Sequence, residues 1–234
     1  MEKVENSRQK QVKKRILGIF AKQPVPGQVK TRLCPPLSAR QAADLYFVSL
    51  QETVARAQTL TSCDLAICYS GDGGWFAATF PGISLVPQHG NGLGERMAQC
   101  LSGWLAEGYE AAVLIGSDAP DLPTALIEEA FSALEGADLV HGPALDGGYY
   151  LVGESTHNDQ LYSGIAWSTD KVLEQTLAKA TTLGLSSVLL PDWDDLDDLP
   201  ALLRLVDRSP HSITAKQVRT VLKHSTDSGF DGLT

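Results

Sequence analysis

The alternation of short apolar runs with amphipathic helical stripes is the feature that most restricts how this chain can fold. Continuous apolar runs, such as residues 15–21 and 111–117, are typical of strands that are buried on both faces. Between such runs, over residues 43–57 and 93–104, apolar residues recur every three or four positions, which predicts helices. Together these patterns predict an α/β fold, a three-layer sandwich around a mostly parallel sheet of about six or seven strands.

The pattern extends over residues 15–208 and predicts one folded domain there. We interpret the polar, basic residues 1–14 as a disordered tail, with an interaction arm as the alternative, and residues 209–234 as a loosely held C-terminal tail. No stretch approaches the roughly 18 apolar residues of a membrane span, and the first residues lack the apolar core of a signal peptide. Four scattered cysteines without metal-ligand spacing indicate reduced thiols. We therefore expect a cytoplasmic protein with no membrane partner.

Charge is distributed unevenly along the chain. The formal net charge of −9 argues against general binding to nucleic acids. Residues 1–32 nevertheless carry nine of the 19 Lys and Arg residues and only two acidic residues. Part of this basic excess falls inside the predicted domain, in the loop that follows the first strand.

That loop contains Lys22, Lys30 and Arg32 in a stretch shaped by two prolines and Gly27. Several cations close to the backbone N–H groups of a turn and a helix start are what phosphate oxygens require. The spacing is not that of a P-loop. We expect these four residues to form a phosphate-binding loop, with a solvated basic loop as the alternative.

A glycine-rich segment, residues 88–97, follows another short predicted strand. Glycines at three alternating positions, Gly90, Gly92 and Gly94, would let the backbone approach a base or a ribose closely. Arg96 could contact a phosphate or the base. Gly94 and Arg96 are therefore candidate nucleotide-binding residues, and a glycine turn with a surface arginine is the alternative.

Asp118 directly follows the apolar run of residues 111–117, where a buried strand ends. A carboxylate at such a position is costly unless it is hydrogen-bonded or paired with a cation. A hard cation such as Mg²⁺, bridging phosphates, fits it well. We predict that Asp118 is a metal ligand, with a helix cap as the alternative.

The segment from Asp146 to Tyr149 lies between two predicted strands. One glycine would suffice for a hairpin turn, so the pair Gly147 and Gly148 favours a ligand pressed against the backbone, although a plain turn remains the alternative. Asp146 or Tyr149 would then meet ligand hydroxyl groups. These four residues are the candidates for binding a sugar or an acceptor.

Residues 192–198 include five acidic residues. Most of them are expected to be solvated or to lie favourably at the start of the next helix. One could complete a metal site with Asp118. The candidates are Asp194 and Asp195, whereas Asp198 is better placed as a helix-start residue.

Four segments, taken in order, resemble a bacterial family of glycosyltransferase-like proteins, also called radical-SAM/selenodomain-associated transferases. The segments are residues 20–33, 115–123, 142–153 and 192–199. The resemblance covers about residues 15–206. It implies the GT-A fold, also called the nucleotide-diphospho-sugar transferase fold.

The resemblance also implies roles for individual residues. The cations of the first loop would cradle phosphates, and Asp118 would be a metal carboxylate of the fold. Asp194 would supply a second metal carboxylate, while residues 146–148 would line the sugar or acceptor side. Because Asp195 stands where this family has threonine, the choice among Asp194, Asp195 and Asp198 stays open.

Together, these observations predict an enzyme that uses Mg²⁺ or Mn²⁺ and a nucleoside triphosphate or nucleotide sugar to modify a small-molecule acceptor. Glycosyl transfer is the main prediction. Nucleotidyl transfer with release of pyrophosphate, or a non-catalytic nucleotide-binding module, are the alternatives. Lys30 and Asp118 are the expected catalytic residues, acting by positioning and electrostatic stabilisation. This role requires the basic loop and Asp118 to face each other across one cleft.

Overall fold

A seven-stranded sheet organises residues 14–227, the part of the chain that the computed structural model describes. The strands are β1 (Arg15–Lys22), β2 (Asp64–Ser70), β3 (Ser84–Pro87), β4 (Ala111–Gly116), β5 (Leu139–Pro143), β6 (Tyr149–Glu154) and β7 (Ser187–Leu189). Their order in the sheet is β3-β2-β1-β4-β6-β5-β7. Among these strands only β6 is reversed, since it runs antiparallel to both β4 and β5.

Helices cover both faces of the sheet, which confirms the predicted three-layer α/β sandwich. The helices are α1 (Ala39–Ala57), α2 (Gly73–Thr79), α3 (Leu93–Ala106), α4 (Thr124–Ala133), α5 (Val172–Thr182), α6 (Leu199–Arg208) and α7 (Ile213–Asp227), with a short 3-10 helix at Thr31–Leu33. Leu50, Phe76 and Phe131 of α1, α2 and α4 are buried on one face. Leu101 of α3 and Ala180 of α5 are buried on the other.

The continuous apolar run of β4 follows from this double coverage. Val113 and Ile115 point into the core beneath α1, α2 and α4, whereas Ala112 and Leu114 point into the core beneath α3 and α5. Successive side chains of a strand alternate between faces, so a strand covered on both sides is apolar throughout.

The C-terminal segment differs from the sequence interpretation. Residues 213–227 were expected to belong to a loosely held tail, but they form α7, which packs against α1 and α6. Ala215, Val218 and Val221 are buried at a helical spacing of three residues. The expectation was wrong for this helix because its short apolar stripe is set among polar residues.

The start of α7 is held by a buried carboxylate of α1. Glu52 accepts hydrogen bonds from the backbone N–H of Thr214 at 2.8 Å and from its hydroxyl group at 2.7 Å. A carboxylate satisfies free N–H groups at a helix start and interacts favourably with the helix dipole. Residues 1–13 and 228–234, which include most of the predicted tails, lie outside the described residues.

One edge of the sheet gathers the segments that carry the predicted chemistry. The carboxyl ends of the parallel strands meet there, and the reversed β6 begins there, so the hairpin between β5 and β6 lies at the same edge. In the described part of the chain, no helix is long and apolar enough to cross a bilayer.

Candidate active site

A cleft of about 670 Å³ opens at this edge of the sheet. It is lined by residues that follow β1, β3 and β4 and by the beginning of β6. Its charged and aromatic lining includes Lys22, Lys30, Arg32, Arg96, Asp118, Tyr149 and Asp197.

Lys30 lies between two carboxylates in this cleft. Its Nζ is 2.8 Å from Oδ1 of Asp118 and 3.0 Å from Oδ1 of Asp197, and only 6% of its side chain is exposed. Burial alone would lower the pKa of the ammonium group, but the two carboxylates outweigh burial and hold that pKa above its ordinary value. The predicted opposition of the basic loop and Asp118 is therefore confirmed as geometry.

Local backbone structure explains how Lys30 reaches the cleft. Lys30 has a left-handed conformation with φ 49° and immediately precedes the 3-10 helix. Few residues other than glycine adopt this conformation, which persists only where the surroundings hold it. The buried side chains of Val29 and Leu33 anchor the backbone on either side.

The other predicted phosphate-binding residues of this loop surround Lys30. Arg32 is 65% exposed, and its Nη1 lies 3.2 Å from Oδ2 of Asp197. Lys22 ends β1 and lines the cleft. Gly27 has φ 79°, and this left-handed conformation is the reason the turn uses glycine.

Asp118 is fixed by contacts of its backbone neighbours. The preceding residue, Ser117, is buried and accepts a hydrogen bond from Ser49 on its carbonyl oxygen at 2.8 Å. The carbonyl oxygen of Asp118 itself accepts from the N–H of Leu196 at 2.9 Å. The alternative interpretation of Asp118 as a helix cap is wrong, because the residue before α4 is Pro123, without a side-chain cap.

A cluster of three carboxylates adjoins this ion pair. Asp146, Asp195 and Asp197 each offer an oxygen within 4.8 Å of the others. Burial, followed by the charges of Asp197 and Asp146, raises the pKa of Asp195 to about 7. Burial would also raise the pKa of Asp197, but Lys30 outweighs it and lowers that pKa. The donor set and its crowding fit a hard divalent cation, which prefers carboxylate oxygens.

The structure does not bring Asp194, the predicted second metal ligand, together with Asp118. Asp194 is 5% exposed and accepts two hydrogen bonds from Arg204, at 2.7 and 2.9 Å. The segment is extended here, so Asp194 and Leu196 turn inward while Asp195 turns towards the other carboxylates. Both oxygens of Asp194 are thus committed to arginine.

Asp198 contacts the backbone at the start of α6. Its Oδ1 accepts a hydrogen bond from the N–H of Ala201 at 2.8 Å and caps α6. The prediction of a helix-start role for Asp198 is confirmed.

Three predicted ligand-facing glycines have contacts within the chain itself. A Cβ on Gly94 would lie 2.4 Å from the indole of Trp167, and one on Gly147 would lie 2.3 Å from the carbonyl oxygen of Asp170. The N–H of Gly148 donates to Oδ1 of Asp146 at 2.8 Å and closes the hairpin turn. The close contacts of Gly94 and Gly147 account for those two glycines within the fold, and ligand contacts at all three positions stay predictions.

Arg96 and Tyr149 both line the cleft. The guanidinium of Arg96 donates to the carbonyl oxygen of Gly90 at 3.1 Å, which orients it beside the glycine-rich segment. The phenol ring of Tyr149 meets the buried ring of His141 edge-on, with centroids 5.4 Å apart. Burial raises the pKa of Tyr149, so its hydroxyl stays protonated at neutral pH.

Sequence reasoning missed two residues of this site. Asp197 pairs with Lys30 and Arg32, yet it was not a candidate. A period-two alternation, applied to residues 194–197, would have grouped Asp197 with Asp195, and the observed burial follows that alternation. Ser168 was also missed; it lines the cleft with φ 64° and has no pattern that marks it.

Comparisons with known proteins identify relatives of the chain. A family model described as "Uncharacterized protein conserved in bacteria (DUF2064)" matches residues 53–169. A crystal structure from Desulfovibrio desulfuricans G20, provisionally described as a nucleotide-diphospho-sugar transferase, is 34% identical. That match covers 92% of this chain and 98% of the other, with a TM-score of 0.84, and it confirms the predicted fold. The radical-SAM/selenodomain-associated description stays a prediction, because these matches do not carry it.

More distant solved structures share the fold alone. A cytidylyltransferase from Leptospira borgpetersenii is 11% identical, with a TM-score of 0.56 and coverage of 95% of this chain and 99% of the other. A CMP-2-keto-3-deoxy-manno-octonic acid synthetase complexed with CTP is 10% identical, with a TM-score of 0.53 and coverage of 83% and 97%. No curated protein matches the chain significantly.

Proposed function

We propose a function for this chain from two premises, the first being that it belongs to the DUF2064 family. The second is the geometry of the cleft. On these premises the protein is a transferase that binds a nucleotide-activated donor together with Mg²⁺ or Mn²⁺ and modifies a small-molecule acceptor. The donor is a nucleotide sugar or a nucleoside triphosphate.

One observation carries this proposal: Lys30 faces Asp118 and Asp197 where the strand order reverses. The chain moves from β1 outward to β2 and β3, and then returns to place β4 on the other side of β1. Open α/β sheets bind their ligands in the crevice at such a point. Lys30 follows β1 and Asp118 follows β4, so both belong to that crevice.

The carboxylates would hold the metal ion. Asp118, Asp195 and Asp197 are the proposed ligands: Asp195 and Asp197 lie within reach of one ion together with Asp146, and Asp118 shares the ammonium of Lys30 with Asp197. Asp195 and Asp197 replace the sequence prediction of Asp194, whose oxygens are bound by arginine. When bound, the ion would neutralise phosphate charge and stabilise the leaving group.

The cations would hold the phosphates of the donor. Lys22, Lys30, Arg32 and Arg96 all line the cleft on the side of the first loop and α3. Lys30 would then exchange part of its contact with Asp118 and Asp197 for phosphate oxygens. A buried ammonium with a raised pKa stays charged throughout this exchange and can stabilise negative charge on the departing group.

The name of the D. desulfuricans relative supports a nucleotide sugar as the donor. Glycosyl transfer would have an acceptor hydroxyl attack the sugar carbon while the nucleoside diphosphate leaves. Nucleotidyl transfer would release pyrophosphate from a nucleoside triphosphate instead. A nucleotide-binding module would release neither product.

A product assay tests the proposal and separates these outcomes. The full chain is incubated with the four nucleoside triphosphates and with a panel of nucleotide sugars, each with Mg²⁺ or Mn²⁺ and a fractionated small-molecule extract. We expect metal-dependent release of a nucleoside diphosphate. Asp197→Asn should abolish it, while Asp44→Asn, on the exposed face of α1, should not. If no nucleotide raises the thermal stability of the wild-type chain with either metal, the proposal fails.

A further inference from the structure

A single arginine behind the cleft joins the segments that carry its carboxylates. Arg208, the last residue of α6, donates from Nε and Nη2 to the two oxygens of Asp121 at 2.7 and 2.9 Å. Its Nη1 also lies 3.4 Å from Oδ2 of Asp194. Paired N–H donors on one carboxylate fix direction as well as distance, which a single ammonium could not do.

Asp121 is the buried anchor of this contact. It is 4% exposed and also accepts hydrogen bonds from Ser209 at 2.7 Å and Trp193 at 3.4 Å. Burial would raise the pKa of Asp121, but Arg208 and Ser209 outweigh burial and lower it. The carboxylate is therefore ionised, and removal of Arg208 would leave a buried negative charge without its main partner.

Each segment that Arg208 contacts continues into the cleft. Asp121 lies three residues after Asp118, and Asp194 directly precedes Asp195. The backbone of the two segments is joined by the hydrogen bond from Leu196 N–H to the carbonyl oxygen of Asp118, at 2.9 Å. Arg208 thus contacts both segments, through Asp121 and Asp194, on the side away from the cleft.

The third acidic segment is the hairpin that carries Asp146, and Trp193 connects it to Arg208. The guanidinium of Arg208 lies 4.9 Å from the centre of the Trp193 ring. The backbone N–H of Trp193 donates to the carbonyl oxygen of Pro143 at 3.0 Å, at the start of the hairpin that carries Asp146. Asp146 is therefore connected to the same arginine through backbone and ring contacts.

Mutual repulsion of the carboxylates acts against this arrangement. The carboxylates of the cleft lie close together, and Lys30 and Arg32 offset only part of their charge. Without a metal ion, this repulsion favours separation of the acidic segments, and contacts outside the cleft add to Lys30 in opposing it. In the described part of the chain, Arg208 of α6 provides such contacts.

We propose that Arg208 is a positioning residue that sets the spacing of Asp118, Asp195 and Asp197. Arg208 touches none of the three; it acts through Asp121, Asp194 and Trp193. The proposal rests on the proposed function for the identity of the ligand, a divalent cation. The spacing itself can be tested without metal.

The metal-free test is hydrogen exchange of the backbone amides in the full chain. Arg208→Ala should speed exchange of the Leu196 N–H by about tenfold or more, because the two segments move apart when their clamp is lost. The matched control is Arg219→Ala, since Arg219 donates to the backbone of the same region, at Pro210 and Val206, and not to the acidic segments. Arg208→Lys keeps the charge without the fork and should lie in between. Unchanged exchange of Leu196 in Arg208→Ala would overturn the proposal.

The second readout is the affinity for Mn²⁺ alone, measured by calorimetry. Arg208→Ala should weaken it roughly 10- to 100-fold, as for other groups that orient metal ligands, while Arg219→Ala should leave it unchanged. Equal Mn²⁺ affinities in the two variants would overturn the positioning role. Absence of Mn²⁺ binding by the wild-type chain would contradict the proposed function, whereas the exchange result would still decide the role of Arg208. If Arg208→Ala does not fold, Arg208→Lys carries both measurements.

Discussion

The ammonium group of Lys30 lies 2.8 Å from the carboxylate of Asp118, although the two residues are far apart in the sequence. They meet because β1 and β4 are neighbours in the sheet and both residues follow the carboxyl ends of these strands. The contact combines a buried cation with a carboxylate that is still reachable from the cleft. A phosphate group requires the cation of this pair, and a metal ion requires the carboxylate.

Replacing Lys30 by methionine should lower stability in a metal-dependent way. Lys30→Met leaves Asp118 and Asp197 without their shared cation, and we expect a loss of about 2 kcal/mol in free energy of unfolding with chelator present. A fully buried pair would cost more, but both carboxylates are over one third exposed and partly screened. Urea unfolding should show that millimolar Mn²⁺ recovers much of this loss.

The control for this substitution is Arg40→Met, which removes an exposed ion pair with Asp44 on α1. Its effect should stay within about 0.5 kcal/mol and should not depend on Mn²⁺. A loss in Lys30→Met that Mn²⁺ does not reduce would count against a metal site at these carboxylates.

Replacing Arg32 by alanine should separate phosphate binding from binding of the nucleoside. The side chain is 65% exposed, so Arg32→Ala should change stability little. We expect its affinity for nucleoside di- and triphosphates to fall about tenfold, in the range of one charge-assisted contact, with nucleoside affinity unchanged. Equal losses for nucleotides and nucleosides, measured by calorimetry, would contradict a phosphate role.

Two glycines of α3 should respond to alanine in opposite directions. Gly94→Ala places a methyl group 2.4 Å from the Trp167 ring, and we expect it to cost about 1–3 kcal/mol because the ring or the helix must shift to admit it. Gly103 has no atom within 4 Å of an added Cβ, so Gly103→Ala should stabilise the helix by about 0.5–1 kcal/mol. Thermal unfolding of both variants checks this, and equal effects would show that Trp167 does not pack as described.

His157 should make stability depend on pH at the edge of the sheet opposite the cleft. The hydrogen bond that the ring of His157 donates to the carboxylate of Glu154 is the largest cause of the raised pKa of His157, the exposed Asp159 adds to it, and burial opposes it. A raised folded-state pKa gives stability that is fully present below the ordinary pKa of about 6.5 and is lost as the pH rises through the folded-state value. Urea unfolding of His157→Gln should therefore show a deficit against wild type that is larger at pH 5.5 than at pH 8.5. The exposed His211 provides the control, and a deficit that grows with pH would contradict the assignment.

Much of the fold could be predicted because the burial of a strand or helix is visible in the pattern of apolar residues within that element. The apolar run of β4 and the stripe of α3 each follow from their own residues, and the shared edge of parallel strands then places Asp118 opposite Lys30. The helix α7 was not predicted, since its stability comes from the packing of Ala215 and Val218 on α1 and from Glu52, which lies in a distant part of the sequence.

The details of the site were less predictable for the same reason. Asp194 and Asp195 are neighbours with the same chemistry, and what separates them is the side of the segment on which each lies. Arg204 and Arg208 of α6 form ion pairs with Asp194. No local sequence pattern predicts these pairings. The alternation of buried and partly exposed residues from Asp194 to Asp197 separates the two, but it becomes visible only once the path of this segment over the protein is known.

The most direct test of the central claim is the binding of free Mn²⁺, followed by electron paramagnetic resonance, to wild-type chain and to Asp118→Asn, each with and without a nucleoside diphosphate. The account predicts that the wild-type chain binds Mn²⁺ and that the nucleotide tightens this binding. Asp118→Asn should lose both effects, while Asp44→Asn on the exposed face of α1 should retain them. Equal nucleotide-dependent Mn²⁺ binding by Asp118→Asn and the wild-type chain would contradict a metal–phosphate centre in this cleft.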